Sequence, residues 1–110
     1  MYECFSQLPV LHSFGVRLFD LFWRTNYHQN NEWEFHFIRH GSMTLECNGK
    51  AYEAGKGDIV FIPPNTKHKD KFDPGQDFEV FMASFSWSGA DEKLQELLPS
   101  PVIKGLNASR

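Results

Sequence analysis

Cysteine is scarce in this chain: two occur, Cys4 and Cys47, in neither a Cys-x-x-Cys pair nor a Cys/His zinc spacing. Thiols so placed are expected to be reduced, as in a cytoplasmic protein, so the fold has to hold without a disulfide framework or a structural zinc. No apolar run approaches the roughly 20 residues a membrane-spanning helix needs, and the opening MYECFSQL lacks the charged-then-apolar order of a secretion signal. No membrane contact is therefore expected. Nor is there an excess of basic charge: Lys and Arg number 11 against 14 Asp and Glu, a formal net charge of -3. That balance argues against nucleic-acid binding by this chain itself. Internal repeats and low-complexity segments are absent. Helical periodicity is confined to one short stretch near the C-terminus, which argues against alternating strand–helix architectures.

What the chain has in plenty is aromatic surface. Of 110 residues, 41% are hydrophobic and 15% aromatic, with 11 Phe, enough for the core of one β-rich domain. Turn signals near positions 41, 48, 55, 64 and 74 punctuate short strands, as in an all-β sandwich or barrel. Residues 1–15 read as an irregular N-terminal arm, and Val16 to Trp23 as the first strand. Trp33 to His40 alternates, with Trp33, Phe35 and Phe37 on one face and Glu34 and His36 on the other. Parity alone leaves open which face is inside. Asn48-Gly49 marks a hairpin. Lys69-Asp70-Lys71 reads as a charged run before the Asp73-Pro74-Gly75 turn, and Phe78 to Trp87 as a long strand. Ala90 to Leu98, with Leu94, Leu97 and Leu98 at helical spacing, reads as a short helix ended by Pro99; its apolar stripe packs either on its own domain or on another subunit.

The stretch that organises the rest is GDIVFIPPNTKH, Gly57 to His68. A glycine turn feeds a β-branched and aromatic strand, Pro63 ends it because proline has no N–H to give a ladder, and His68 follows at a set distance. This spacing resembles the second motif of the cupins, G-x5-P-x-G-x2-H-x3-N, at Gly57, Pro63 and His68, with Asn65 in the place of glycine and Phe72 in the place of asparagine. Asn tolerates the left-handed conformation that a glycine there would adopt. The first cupin motif, G-x5-H-x-H-x3-E-x6-G, is matched at His28, Glu34 and Gly41, while Asn30 replaces the second histidine and Phe22 the opening glycine. The combination EFHFIRHGSMTLECNGKAYEAGKGDIVFIPPNTKH with a later ASFSW is similar to the N-terminal effector domains of AraC/XylS-type transcription regulators.

The resemblance implies an all-β fold, a cupin-like double-stranded β-helix (jelly roll) with a short C-terminal helix. Its expected parts are an arm over 1–15, a cupin barrel over 16–88, and a helix with the start of a linker over 89–110. In such a regulator the domain senses a small effector, commonly a sugar, and pairs with a second copy, while DNA is contacted only by a C-terminal region that this sequence does not contain. The cupin comparison also points Glu34, and with it His36, into the barrel. Glu34, His36, His68, His28 and Ser84 would then give hydrogen bonds to a carbohydrate-like ligand, with Trp23 or Phe19 as the apolar floor. No cofactor is expected under this reading.

The alternative is a metal-dependent cupin enzyme, a dioxygenase or isomerase, with iron, manganese or zinc held by His28, Glu34 and His68. A third reading is a bare carbohydrate-binding module. His12 and His40 have no motif support and read as surface or strand-end residues.

Overall fold

The computed structural model describes residues 8–18, 29–72, 77–98 and 100–105. The strands are β1 (Val10–Leu18), β2 (Trp33–His40), β3 (Ser42–Cys47), β4 (Lys50–Gly55), β5 (Ile59–Ile62), β6 (His68–Phe72), β7 (Glu79–Ser86) and β8 (Val102–Ile103), with one helix, α1 (Asp91–Leu97), before β8. A five-stranded sheet in the order β1-β7-β2-β5-β8 faces a three-stranded sheet in the order β4-β3-β6, and every pairing is antiparallel. This is the expected all-β jelly roll with a short helix after the barrel.

The core forms where the inner faces of the two sheets meet. Ile38, Val60, Ile62 and Val80 from the larger sheet pack with Met43, Leu45, Cys47 and Ala54 from the smaller one, each almost fully buried. The alternation along every strand does this sorting, since residues two apart share a face. On β2 the inner row is Glu34, His36 and Ile38, and Trp33, Phe35 and Phe37 lie on the outer face. There Trp33 pairs with Phe85, and Phe35 with Phe61 and Phe81, in a layer of aromatic contacts. Polar residues thus occupy the interior row and aromatics the outer one, the arrangement the cupin comparison implies.

The turns form as their sequences dictate. Asn48 (φ 52°) and Gly49 (φ 76°) both sit in the left-handed region, as a two-residue hairpin between β3 and β4 requires. Asn65, at φ 60°, fills the left-handed position where the cupin motif has glycine.

Three elements differ from the sequence expectation. The first strand begins at Val10, because a bulge between Leu11 and Ser13 lets it follow β7 from Ser86 down to Glu79. Lys69-Asp70-Lys71 belongs to β6, with Asp70 only 2% exposed and Lys71 pointing out to Glu46. Val102–Ile103, within residues read as the start of a linker, adds a short strand to β5.

What fixes that last strand is Asp58. Its carboxylate accepts hydrogen bonds from Gly55 N (2.8 Å), Gly105 N (2.9 Å) and Lys104 Nζ (3.2 Å). Burial alone would raise the Asp58 pKa, but the two backbone N–H groups and the Lys104 ammonium outweigh it and hold the carboxyl below its ordinary value. Gly105 is pressed against the Gly57 carbonyl so closely that a β-carbon would stand 1.6 Å from its oxygen.

Candidate functional site

Glu34 is placed by β2, the central strand of the larger sheet. On one side its register partner is Ser84 of β7, and on the other Ile62 of β5. His36, two residues on, points the same way and is 1% exposed. His68 enters from the opposite sheet as the first residue of β6, beside Cys47 of β3. The proline turn that delivers it is pinned where Asn65 N donates to Asn30 O at 2.6 Å. Four expected site residues, Glu34, His36, His68 and Ser84, are thereby brought to one inner-face neighbourhood. His28 and Trp23, and with them Phe19, lie outside the described residues.

The hydrogen-bond pattern fixes the histidine tautomers. His68 Nδ1 donates to the Thr66 carbonyl at 2.9 Å, because a carbonyl only accepts, so Nε2 is the ring atom turned toward Glu34, 4.0 Å from Oε2. His36 Nε2 donates to Glu34 Oε1 at 3.2 Å. Its Nδ1 is left buried, with no hydrogen-bond partner among the described residues. Asn30 Nδ2 reaches Glu34 Oε2 at 3.5 Å.

Burial would push the Glu34 carboxyl up. The His36 hydrogen bond and charge, His68 and Asn30 more than offset that, and Glu34 lies below its ordinary value of 4.5. The cluster therefore presents an ionised carboxylate at neutral pH. Beside it runs a hydroxyl row: Ser84 Oγ and Ser13 Oγ are 2.7 Å apart, and Ser86 Oγ is 2.8 Å from His12 Nε2.

Ser13 and His12 were not among the expected site residues. The bulge in β1 hides their alignment with β7 from any sequence pattern, so no local signal pointed to them. His40 is an exposed strand-end residue near Glu79, as expected. The apolar stripe of α1 is divided: Leu97 is 61% exposed, while Leu94 and Leu98 are half-buried.

Whether a metal would fit can be judged from the donors. Glu34 Oε2 and His68 Nε2 converge, and the Thr66 contact sets the tautomer a ligating histidine needs. A transition-metal site takes at least three protein donors, and among the described residues no group of three His, Cys, Asp or Glu is placed to hold an ion. The described residues thus do not complete a metal shell.

Two antiparallel sheets rolled around an inward-facing carboxylate and two histidines define a cupin, a double-stranded β-helix. Among solved structures, the chain is similar to the cupin domain of Schizosaccharomyces pombe Cnp3 (13% identity, TM-score 0.61, covering 87% of this chain and 74% of that one). It is also similar to an RmlC-like cupin family protein of Methanocaldococcus jannaschii (18%, 0.58, 82% and 86%). A third is a Thermotoga maritima protein described as a predicted oxalate decarboxylase (19%, 0.59, 69% and 67%). Identities this low speak for the fold alone, and the chain spans only 57% of the length of a further similar structure, a putative ethanolamine utilization protein Q of Salmonella typhimurium. A comparison with curated proteins finds no match. The model of the AraC-like ligand binding domain matches residues 20–105, and the chain belongs to that family.

Proposed function

We propose that this chain is the effector-sensing domain of an AraC-type transcription regulator, and that its effector is a small polar molecule of carbohydrate type. The observation that carries this reading is the convergence of Glu34, His36, His68 and Ser84 on the inner face of a ligand-binding family fold. A sugar hydroxyl both donates and accepts. The Glu34 carboxylate would accept from it, the buried Nδ1 of His36 would accept from a second hydroxyl, and the serine hydroxyls would serve either role. His28 and Trp23 complete the proposed set.

Sensing is a population shift. Ligand contacts favour one placement of the residues preceding β1, or of α1, and the ligand must contact the two states differently to do so. DNA contact would belong to a region outside this sequence, pairing with a second copy to the whole regulator, and the cytoplasm is the compartment this role requires. Among the described residues, no helix is long and apolar enough to cross a membrane.

The second reading, a metal cupin enzyme using His28, Glu34 and His68, draws its support from the His68 tautomer. A thermal-shift screen against neutral and acidic sugars, run beside elemental analysis of protein purified without chelator, separates the two. A sugar-dependent rise in Tm in metal-free protein is the expected result. Stoichiometric iron, manganese or zinc that disappears in His68→Ala would replace the sensor reading with the enzyme.

A further inference from the structure

A cavity of about 190 Å³ lies between the end of the barrel and α1, and neither Glu34, His36, His68 nor Ser84 lines it. The apolar residues that line it include Trp33 and Phe61. The polar residues that line it are Asn48, Thr66, Gln95 and Ser100. No charged side chain is among the described residues that line it. Three consequences follow from these walls.

The first concerns charge: an ionic ligand would lose part of its hydration here with no counter-charge among the described lining residues, so the site suits an uncharged molecule. The second concerns polarity. Amides and hydroxyls both donate and accept, and Ser100 Oγ, which already accepts Val102 N at 3.2 Å, keeps its proton to donate. Such a set matches several hydroxyl groups around one apolar body. The third concerns size. A cavity of about 150 Å³ holds a benzene ring, so this one is large enough for a single substituted six-membered ring.

We infer that this cavity is a second binding site, for an uncharged, polyhydroxylated single-ring molecule, separate from the Glu34 cluster. Its position gives occupancy a mechanical consequence. Gln95 and Leu98 belong to α1 and its C-terminal end, Asn48 to the β3–β4 hairpin and Phe61 to β5. Within the described residues α1 is otherwise tied to the barrel by the Trp33 Nε1 to Asp91 Oδ1 hydrogen bond of 2.9 Å. A ligand bridging Gln95 to Asn48 would add a second tie at the other end of the helix.

The test is a titration of isotope-labelled protein with D-glucose, D-xylose and D-mannose, followed through its backbone amide spectrum, with D-glucuronate as the charged counterpart. Saturable shifts at Asn48, Thr66, Gln95 and Ser100 are expected for at least one neutral sugar. They should be lost in Gln95→Trp, kept in Glu34→Gln, and at least about tenfold weaker with glucuronate. Gln95 is exposed on its helix, so the filling variant keeps the fold. Shifts confined to Asn30, His36, His68 and Ser84 would overturn this second site and leave the proposed effector role standing. No shifts at all, or glucuronate binding the cavity as well as glucose, would also overturn it.

Discussion

Replacing Asp58 by alanine tests how the barrel holds its last strand. The carboxylate is 7% exposed and accepts two backbone N–H groups and the Lys104 ammonium. In Asp58→Ala the N–H groups of Gly55 and Gly105 lose a charged acceptor, each at about 1–2 kcal/mol. The Lys104 side chain is 61% exposed, so its ion pair adds little. The sum is about 3 kcal/mol, which for a domain of this size lowers Tm by roughly 12–20 °C.

The pH dependence has a definite sign. The folded pKa of Asp58 lies below its ordinary 3.8, so its stabilisation is fully present above that value and is lost as pH falls through the folded value. Wild type and variant should therefore differ most near neutrality and converge in acid. Urea denaturation at a series of pH values measures this. A neutral-pH difference below about 0.5 kcal/mol, the range of an ordinary surface substitution, or a gap that widens in acid, would refute the reasoning.

Substitutions at three further positions have defined outcomes. Gly105→Ala places a β-carbon against the Gly57 backbone carbonyl, which cannot rotate aside, so it should cost about as much as Asp58→Ala and expose the amides of β8 to hydrogen exchange. Asp91→Ala removes the acceptor of the Trp33 indole N–H; it should cost about 1 kcal/mol in urea denaturation and alter tryptophan fluorescence. Asn65→Gly should be neutral or slightly stabilising and Asn65→Ala should cost about 1 kcal/mol, because the residue sits at φ 60°; equal stabilities would contradict the strain argument.

The parts of the fold written in local chemistry were legible in the sequence. Asn48-Gly49 named its hairpin, Gly57 to Ile62 its strand, and Pro63-Pro64 the turn that brings His68 to Glu34. Alternation on β2 paired Glu34 with His36, although polarity alone would have turned the aromatic face inward. The correct choice came from comparison with a known motif, because the outer aromatics pack on one another rather than in the sandwich, with Trp33 also hydrogen-bonded to Asp91 of α1.

What stayed hidden depends on partners far along the chain. Val10 to Gly15 looks irregular because its bulge changes the parity partway, and its partner β7 lies more than sixty residues on. Lys69 and Lys71 disguise β6, whose inward residues are His68 and Asp70. Val102–Ile103 is too short to carry a pattern and depends on Asp58 to hold the chain that follows it.

The central claim is that the Glu34 cluster binds a small polar effector. Calorimetric titration of neutral and acidic sugars into Gln95→Trp, in which the second cavity is filled, and into Gln95→Trp combined with Glu34→Gln or with His68→Ala tests it directly. Saturable binding by Gln95→Trp that weakens roughly 10- to 100-fold when Glu34→Gln is added, the loss expected for one charge-assisted hydrogen bond, is the predicted result. Binding that both combined variants leave unchanged, or no heat with any sugar, would contradict it.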